Sequence, residues 1–309
     1  MKLGGTEISL SEEDISLTLG ENINLAPSEL NALRRDAAAA LINTEREPEK
    51  TEKFEFIPTP KKQKRLTSAY FYDLKALAEI KKTSPSALSI FDKIFIPLFK
   101  LSEYEGDGVG VAFPPVIFDS ELDKVKSKLK AAKERELSEA LISNISHKAI
   151  AEEFGFSVTG DFRLNATNSL TKEAYRKMGI EELILSPELT TPMARDIGGS
   201  VIAYGRIPLM LTERCFIKEN FGCGRCGNAS LTDRTGAKFP MLREFEHRNI
   251  ILNSTPTYMG DRLSELNAAR LDSHHFIFTV ETAREILEVI SAYKEKRALP
   301  VPVRSLGKR

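Results

Sequence analysis

The sequence carries no excess charge, because 44 Lys and Arg balance 44 Asp and Glu. No global field therefore draws the chain to nucleic acid or to acidic substrates, although a local basic patch stays open. Cysteine is scarce: three in 309 residues, an odd number that does not make the disulfide framework of a small secreted domain. The opening MKLGGTEISL lacks the apolar core of a signal peptide. No apolar run approaches the roughly 20 residues that span a bilayer, so the expectation is a cytoplasmic protein with no membrane partner. GxGxxG, the P-loop and GxSxG are missing, which leaves dinucleotide binding and α/β-hydrolase chemistry without support. Also missing are HExxH and any Cys/His or Ser/His/Asp arrangement of a peptidase. No internal repeat is visible.

What is present is long enough, at 309 residues with 41% hydrophobic side chains, to bury a large core as one large or two smaller domains. Residues 1–47 read as a small α+β remnant. GTEISLSEEDISLTLGENINLAP alternates apolar and polar residues like two or three short strands. A helix follows, with Ser28 as N-cap after Pro27 and an apolar stripe of Leu30, Leu33, Ala37 and Leu41. This is too little to fold alone and reads as the tail of a preceding domain, so the rest of a longer polypeptide is expected on the N-terminal side. Residues 48–64, charged and punctuated by proline, read as a linker. The run Lys61, Lys62, Lys64 and Arg65 is its solvated end.

From residue 65 to 300, short β-like runs alternate with helices. Strands are expected at Leu66–Tyr72, Lys93–Phe99, Gly108–Phe113, Ala140–Ser143, Val158–Asn165, Glu182–Ser186, Ser200–Leu211, Asn249–Asn253 and His275–Val280. Between them the pattern predicts helices at Asp73–Lys81, Ser120–Arg135, Ser146–Phe154, Thr171–Met178, Asp261–Ala269 and Thr282–Tyr293. Such alternation implies parallel βαβ units. The fold class is therefore α/β, a (β/α) barrel-like domain that is incomplete or irregular, with an open doubly wound sheet as the alternative. Residues 301–309 read as a flexible tail.

All three cysteines fall in one stretch, residues 204–256, with the spacing Cys215-x7-Cys223-x2-Cys226, and His247 follows. Thiolates suit soft and borderline cations, and two cysteines two residues apart can grip one metal from a tight turn. Gly222, Gly224 and Gly227 supply backbone that tolerates such a turn. Apolar β-like runs on either side, Val201–Thr212 and Arg248–Asn253, carry the knuckle between them. Inert or redox-active thiols are the other readings.

Chemistry in a (β/α) barrel sits at the C-terminal strand ends. Those ends carry Asp161, Asn165 and Asn168, then Ser186 and Glu188, Tyr204 and Arg206, Asn253 and Ser254, and Glu281. Asp161, Asn165, Glu188 and Arg206 are the catalytic candidates, Asp161 and Glu188 as acid and base. His147 and the pair His274–His275 lack partners at ligand spacing and read as structural.

The runs GDFRLNATNS, LILSPELT, YGRIPLMLTERC, CGRC, LTDRTGAKFP and HRNIILNSTP, in that order, resemble peptidase family U-thirty-two, the collagenase-like family. Residues 1–45 resemble the tail of the domain that follows the barrel in long members, so the similarity implies the C-terminal part of such a member. It also implies a barrel-like fold and an iron–sulfur protein that hydroxylates tRNA, ribosomal RNA or a quinone precursor without molecular oxygen. In the family pattern four cysteines hold the cluster. Three match Cys215, Cys223 and Cys226, and His247 before Arg248 stands at the fourth place. One imidazole is compatible with a cluster, yet three cysteines and a histidine are also a structural zinc set. The resemblance thus leaves an RNA-modifying hydroxylase, a collagenase-like peptidase by family label, and a non-catalytic metal-stabilised scaffold as readings. Clustering of Arg206, Arg214, Arg225, Arg234, Arg243 and Arg248 at the mouth would favour RNA, and their dispersal into ion pairs would favour the scaffold.

Overall fold

The computed structural model describes residues 16, 18, 26–42, 65–226, 229–271 and 273–305. Backbone proximity divides the chain into two units, Met1–Glu55 and Phe56–Arg309. In the first, helix α1 spans Pro27–Ile42. It starts one residue before the expected Ser28 cap, because proline fits the first helical position and Glu29 reaches back to the Ala26 N–H at 2.9 Å. Leu30 and Leu33 of the expected stripe are exposed, while Ala38 is buried. The strands expected before α1 and the linker expected at 48–64 lie outside the described residues, apart from positions 16 and 18.

The second unit opens with β1 (Thr67–Phe71), α2 (Leu74–Thr83), β2 (Lys93–Pro97) and β3 (Gly110–Ala112). It continues through α3 (Leu122–Glu134), β4 (Glu139–Ile142), α4 (Ser146–Glu153), β5 (Ser157–Gly160), α5 (Ser169–Lys177), β6 (Glu182–Leu183) and α6 (Thr191–Ile197) to β7 (Val201–Gly205). An excursion follows: β8 (Pro208–Thr212), α7 (Phe216–Phe221), β9 (Ala229–Thr232), β10 (Lys238–Arg243) and β11 (Asn249–Leu252). The chain then adds β12 (Thr257–Tyr258), α8 (Leu263–Ala268), β13 (His274–Phe278) and α9 (Ala283–Glu295).

Nine strands form one sheet in the order β12-β7-β13-β1-β2-β3-β4-β5-β6. Every neighbour pair is parallel except β12 on β7. A single parallel bridge, Ile184 to Ser200, joins the two ends of the curled sheet. The fold is therefore the irregular barrel expected, with its seam between β6 and β7. Beyond the seam, the outer edge of β7 pairs with β12. Arg304 bridges to Thr257 next to that pair, tying down part of the C-terminal segment.

Alternation along the strands sorts side chains into two layers. Phe95, Ala112, Leu141, Ile184, Ile202 and Ile277, with Phe162 beyond β5, fill the barrel interior. The opposite faces pack against the helices: Ile286, Val289, Ile290 and Tyr293 of α9 are buried there, and a capping box at Thr282 and Glu285 starts that helix. The N-terminal end of the barrel is plugged by charge. Lys93 Nζ lies 2.7 Å from both Glu139 and Glu182, first residues of β4 and β6. Gly110 leaves space for this packing, because a Cβ there would stand 2.7 Å from the Glu139 carbonyl oxygen.

The excursion is a four-stranded antiparallel sheet, order β8-β11-β10-β9. The expected run Ser200–Leu211 breaks at Gly205, where the φ of 141° is tolerated by glycine and a Cβ would press on Ile277 at 2.6 Å. β8 then pairs with β11, so two strands do flank the cysteine knuckle. The β9–β10 hairpin is additional to the expected elements, and its turn is held by Asp233, which accepts from the N–H groups of Thr235 and Ala237.

Candidate functional site

The small sheet covers the C-terminal mouth of the barrel. One of its faces, with Pro208, Leu242, Ile250 and Leu252, closes a narrow pocket of about 50 Å³ over the strand ends. The other face, with Met241, Ile251 and Ala229, packs on Ile217 of α7 beside Cys215. Pocket wall and cysteine segment are thus two sides of one element.

Aromatic rings from several strands line the pocket: Tyr70 from β1 and Tyr72 just after it, Phe99 after β2, Phe113 after β3 and Phe162 after β5. Among them stand Asp161, Arg163, Glu244 and His275. Asp161 and Arg163 form an ion pair, and Asp161 also accepts from the Phe162 N–H at 2.8 Å. Burial pushes the Asp161 carboxyl up, against the pull of Arg163. Glu244, at the end of β10, accepts from the Phe245 N–H at 2.8 Å. Burial pushes its carboxyl up to about 7, against the Phe245 N–H and the charges of Arg163, Arg248 and Lys100. His275 hydrogen-bonds through Nδ1 to the Ser68 hydroxyl at 2.7 Å, and burial drives its imidazole down to about 3, with Arg163 adding to the effect. Burial and the Glu244 charge hold the Tyr70 hydroxyl well above the ordinary tyrosine range. Lys100 lies 3.8 Å from the Tyr72 ring centroid and donates to the Tyr72 carbonyl at 2.8 Å. Near neutral pH the pocket therefore holds a compensated ion pair, a neutral imidazole and a half-protonated carboxyl. It can exchange hydrogen bonds and a proton with a small ligand.

Of the catalytic candidates read from strand ends, Asp161 is in this pocket. Asn165 is exposed and ends the turn after β5 at a φ of 53°, a conformation asparagine tolerates. Glu188 is exposed beyond β6. Arg206 donates to the carbonyls of Asn253 and Ser254 and stands 3.7 Å from Glu281, clamping the two roots of the excursion. His147 is buried against Phe113, ring centroids 5.2 Å apart, and His274 bonds to the Tyr293 hydroxyl and the Leu271 carbonyl. Both therefore play the structural roles expected. His275, expected to do the same, faces the pocket instead. Period two along β1 and β13 contained the missing signal, since Ser68, Tyr70 and Tyr72, and His275, Ile277 and Thr279, are alternate positions. Glu244 had no such signal, because β10 belongs to the excursion.

Cys215 precedes α7, with the Asn249 amide 3.7 Å from its Sγ. Cys223 and Cys226 are exposed in and after the following 3₁₀ turn. Arg243 pairs with Asn249 and Asn249 with Thr212. β9 starts at Ala229, opposite Met241, so Cys226 enters from that same end of the sheet. His247 lies there too, in the β10–β11 turn, exposed and at a φ of 64°. The Cys226 thiol is close enough to help hold the Tyr72 hydroxyl above its ordinary range, behind burial and Glu244. Among the described residues no three His, Cys, Asp or Glu side chains are grouped to hold a metal ion. Cys215, Cys226 and His247 thus lie toward one end of the small sheet without forming a metal-holding group. Arg248 beside it is structural: its guanidinium grips Glu121 at 2.6 and 3.2 Å and Glu213 at 2.6 Å.

Among the described residues no helix is long and apolar enough to cross a membrane. A protein described as an uncharacterized protease of Methanocaldococcus jannaschii is 28% identical over 127 residues, which cover 36% of this chain and 31% of that protein. This chain thus spans about a third of that relative's length. Among solved structures, the spore cortex-lytic enzyme SleL of Bacillus megaterium aligns at 10% identity with a TM-score of 0.34, covering 78% of this chain and 76% of that one. A chitinase of Chromobacterium violaceum aligns at 12% identity with a TM-score of 0.33, covering 75% and 99%. The model of Peptidase family U32 matches residues 96–298, from the end of β2 through α9 and so across the whole excursion, and the chain belongs to that family.

Proposed function

We propose that this chain serves in the iron–sulfur-dependent, oxygen-independent hydroxylation of tRNA or rRNA, with the barrel-mouth pocket receiving the base. The observation that carries this reading is that one small sheet bears the pocket wall on one face and the cysteine segment on the other. The donor set suits a cluster in identity, three thiols and an imidazole carried by one excursion, although among the described residues they are not grouped as a metal site. Cys215, Cys223, Cys226 and His247 would hold the cluster, which supplies one-electron chemistry when bound. Structural zinc on the same four residues is the alternative. A peptidase reading draws less support from the pocket. Ser68 and His275 are bonded, but Ser68 is fully buried beneath Tyr70 and does not line the pocket. One observation favours the scaffold reading: Arg206, Arg214, Arg243 and Arg248 each pair with a glutamate rather than facing outward together.

Deleting the gene should remove one modified nucleoside from total tRNA or rRNA, seen by mass spectrometry as the loss of one oxygen. Cys223→Ser with Cys226→Ser in the chromosomal copy should reproduce that loss, because serine oxygens do not replace thiolates toward iron. Anaerobic purification should give iron and sulfide together. If the double variant keeps the nucleoside while folded, the scaffold reading replaces this one, and colourless protein with one equivalent of zinc replaces the cluster.

A further inference from the structure

Glu244 is 4% exposed and makes no ion pair of its own among the described residues. The cations near it are committed elsewhere: Arg163 to Asp161, Arg248 to Glu121 and Glu213, and Lys100 to the Tyr72 carbonyl. Glu244 shares the pocket with Tyr70 of β1 and Tyr72 just after it, and its charge bears on both hydroxyls. One carboxyl oxygen of Glu244 takes the Phe245 N–H, and the other takes no hydrogen bond among the described residues. The Tyr70 hydroxyl likewise has no hydrogen-bond partner among the described residues, whereas that of Tyr72 donates to the Arg243 carbonyl at 2.6 Å. A third pocket group, the Ser143 hydroxyl, is buried without a partner. Tyr70 is half-buried and its hydroxyl and the free Glu244 oxygen open on the pocket, whereas the Ser143 hydroxyl is shut off from solvent. A buried polar group is nearly always satisfied, so this unpartnered hydroxyl beside two unpartnered pocket oxygens marks where a ligand's polar edge belongs. The surrounding rings add flat apolar contact, and the charges of Asp161 and Arg163 on the wall cancel each other.

We propose that Glu244 and Tyr70 set the specificity of this pocket, gripping the edge of an uncharged ring that carries a hydrogen-bond donor beside an acceptor, with Glu244 engaged as a carboxylic acid. This rests on the reading of the mouth pocket as the binding site. A carboxylic acid offers one O–H and one carbonyl oxygen, which match the C=O and N–H of a cyclic amide in a two-point contact. An anionic ring would meet the Glu244 carboxyl without a counter-charge to spare.

The test is a titration of the full chain, purified anaerobically, with 2-pyrrolidone as the uncharged probe and cyclopentanecarboxylate as the anion of similar size, followed by saturation-transfer NMR. Wild-type protein should bind 2-pyrrolidone at pH 5.5, and ionisation of a carboxyl near pH 7 should weaken it on the order of 30-fold by pH 8.5. Glu244→Gln should bind with no pH dependence over that range. Glu244→Leu, checked for folding by its far-UV spectrum because it strands the Phe245 N–H, and Tyr70→Phe should each weaken binding at least about fivefold. Tighter binding of cyclopentanecarboxylate at pH 5.5, wild-type affinity in Glu244→Leu, or no binding of 2-pyrrolidone overturns the proposal. Failure of the hydroxylation reading looks different: the nucleosides stay unchanged in the deletion strain while 2-pyrrolidone still binds.

Discussion

Arg248 is 1% exposed and, among the described residues, is the largest of the fully buried side chains. Its guanidinium faces the Phe118 ring at 4.8 Å and holds carboxylates on both sides. Burial alone would raise the Glu121 carboxyl, but hydrogen bonds from Arg248 and the Phe118 N–H outweigh it and hold the group below its usual range. Removing one member of a buried pair leaves the other charge uncompensated, which costs more than the pair contributes. Arg248→Ala should therefore destabilise by about 3–5 kcal/mol, read as a lower urea midpoint. Arg248→Lys should recover only part of that, because an ammonium cannot fork across Glu121 and Glu213 together. A loss under about 1 kcal/mol in Arg248→Ala would mean that Glu121 escapes to solvent and the pair is not a fastening.

The element on which the proposed function turns is the small antiparallel sheet, and Asn249 ties α7 to it. Its side-chain oxygen accepts from the Ile217 N–H at 3.1 Å, holding the start of α7, and its amide nitrogen donates to the Arg248 carbonyl at 3.0 Å. Asn249→Ala strands the buried Ile217 N–H at a cost of about 1–3 kcal/mol. The loss should be local. Bound iron or zinc should drop while the far-UV spectrum and the barrel's unfolding midpoint change little, and an unchanged metal content would show that α7 holds its place without Asn249. This element is also where sequence reading was weakest. The barrel strands were legible because each combines a short apolar run with a polar end, as in Lys93–Pro97 or His274–Phe278. Their spacing by helices then implied parallel pairing. Lys238–Arg243 is half-exposed and interrupted by Pro240, so it shows neither a continuous apolar run nor clean alternation. Missing that strand hid Glu244. By contrast the thiol segment stood out as three cysteines in one short stretch, and the structure places that stretch within the excursion, between β8 and β9.

On the scale of the whole molecule, the buried titrating groups work against each other as pH changes. His147 is buried with its Nδ1 unpartnered, and burial drives it down to about 4, as it drives His275 down to about 3. A group whose folded pKa is depressed contributes stability above its unfolded pKa, about 6.5 for histidine, and loses it as pH falls below that value. Glu244 runs the other way: burial raises it to about 7, so its contribution is full below about 4.5 and is lost as pH rises through 7. Between pH 6.5 and 4.5 the unfolded chain thus gains two histidine protons that the folded barrel refuses. The folded barrel keeps one Glu244 proton that the unfolded chain gives up. Among these three groups two against one leaves a net of about one proton, or about 1.4 kcal/mol of stability lost per pH unit on acidification, which the raised carboxyl of Asp161 opposes at the acid end. Thermal unfolding from pH 7 to 5 should show that fall. His147→Phe keeps the stack on Phe113 and removes an imidazole that makes no Nδ1 hydrogen bond, so it should nearly flatten the profile. Glu244→Leu removes the opposing proton but also strands the Phe245 N–H, so it should steepen the fall, its Tm relative to wild type being higher at pH 8 than at pH 5. If Glu244→Leu leaves the slope unaltered, its carboxyl ionises as freely in the barrel mouth as in water, and the pocket is wetter than its lining implies.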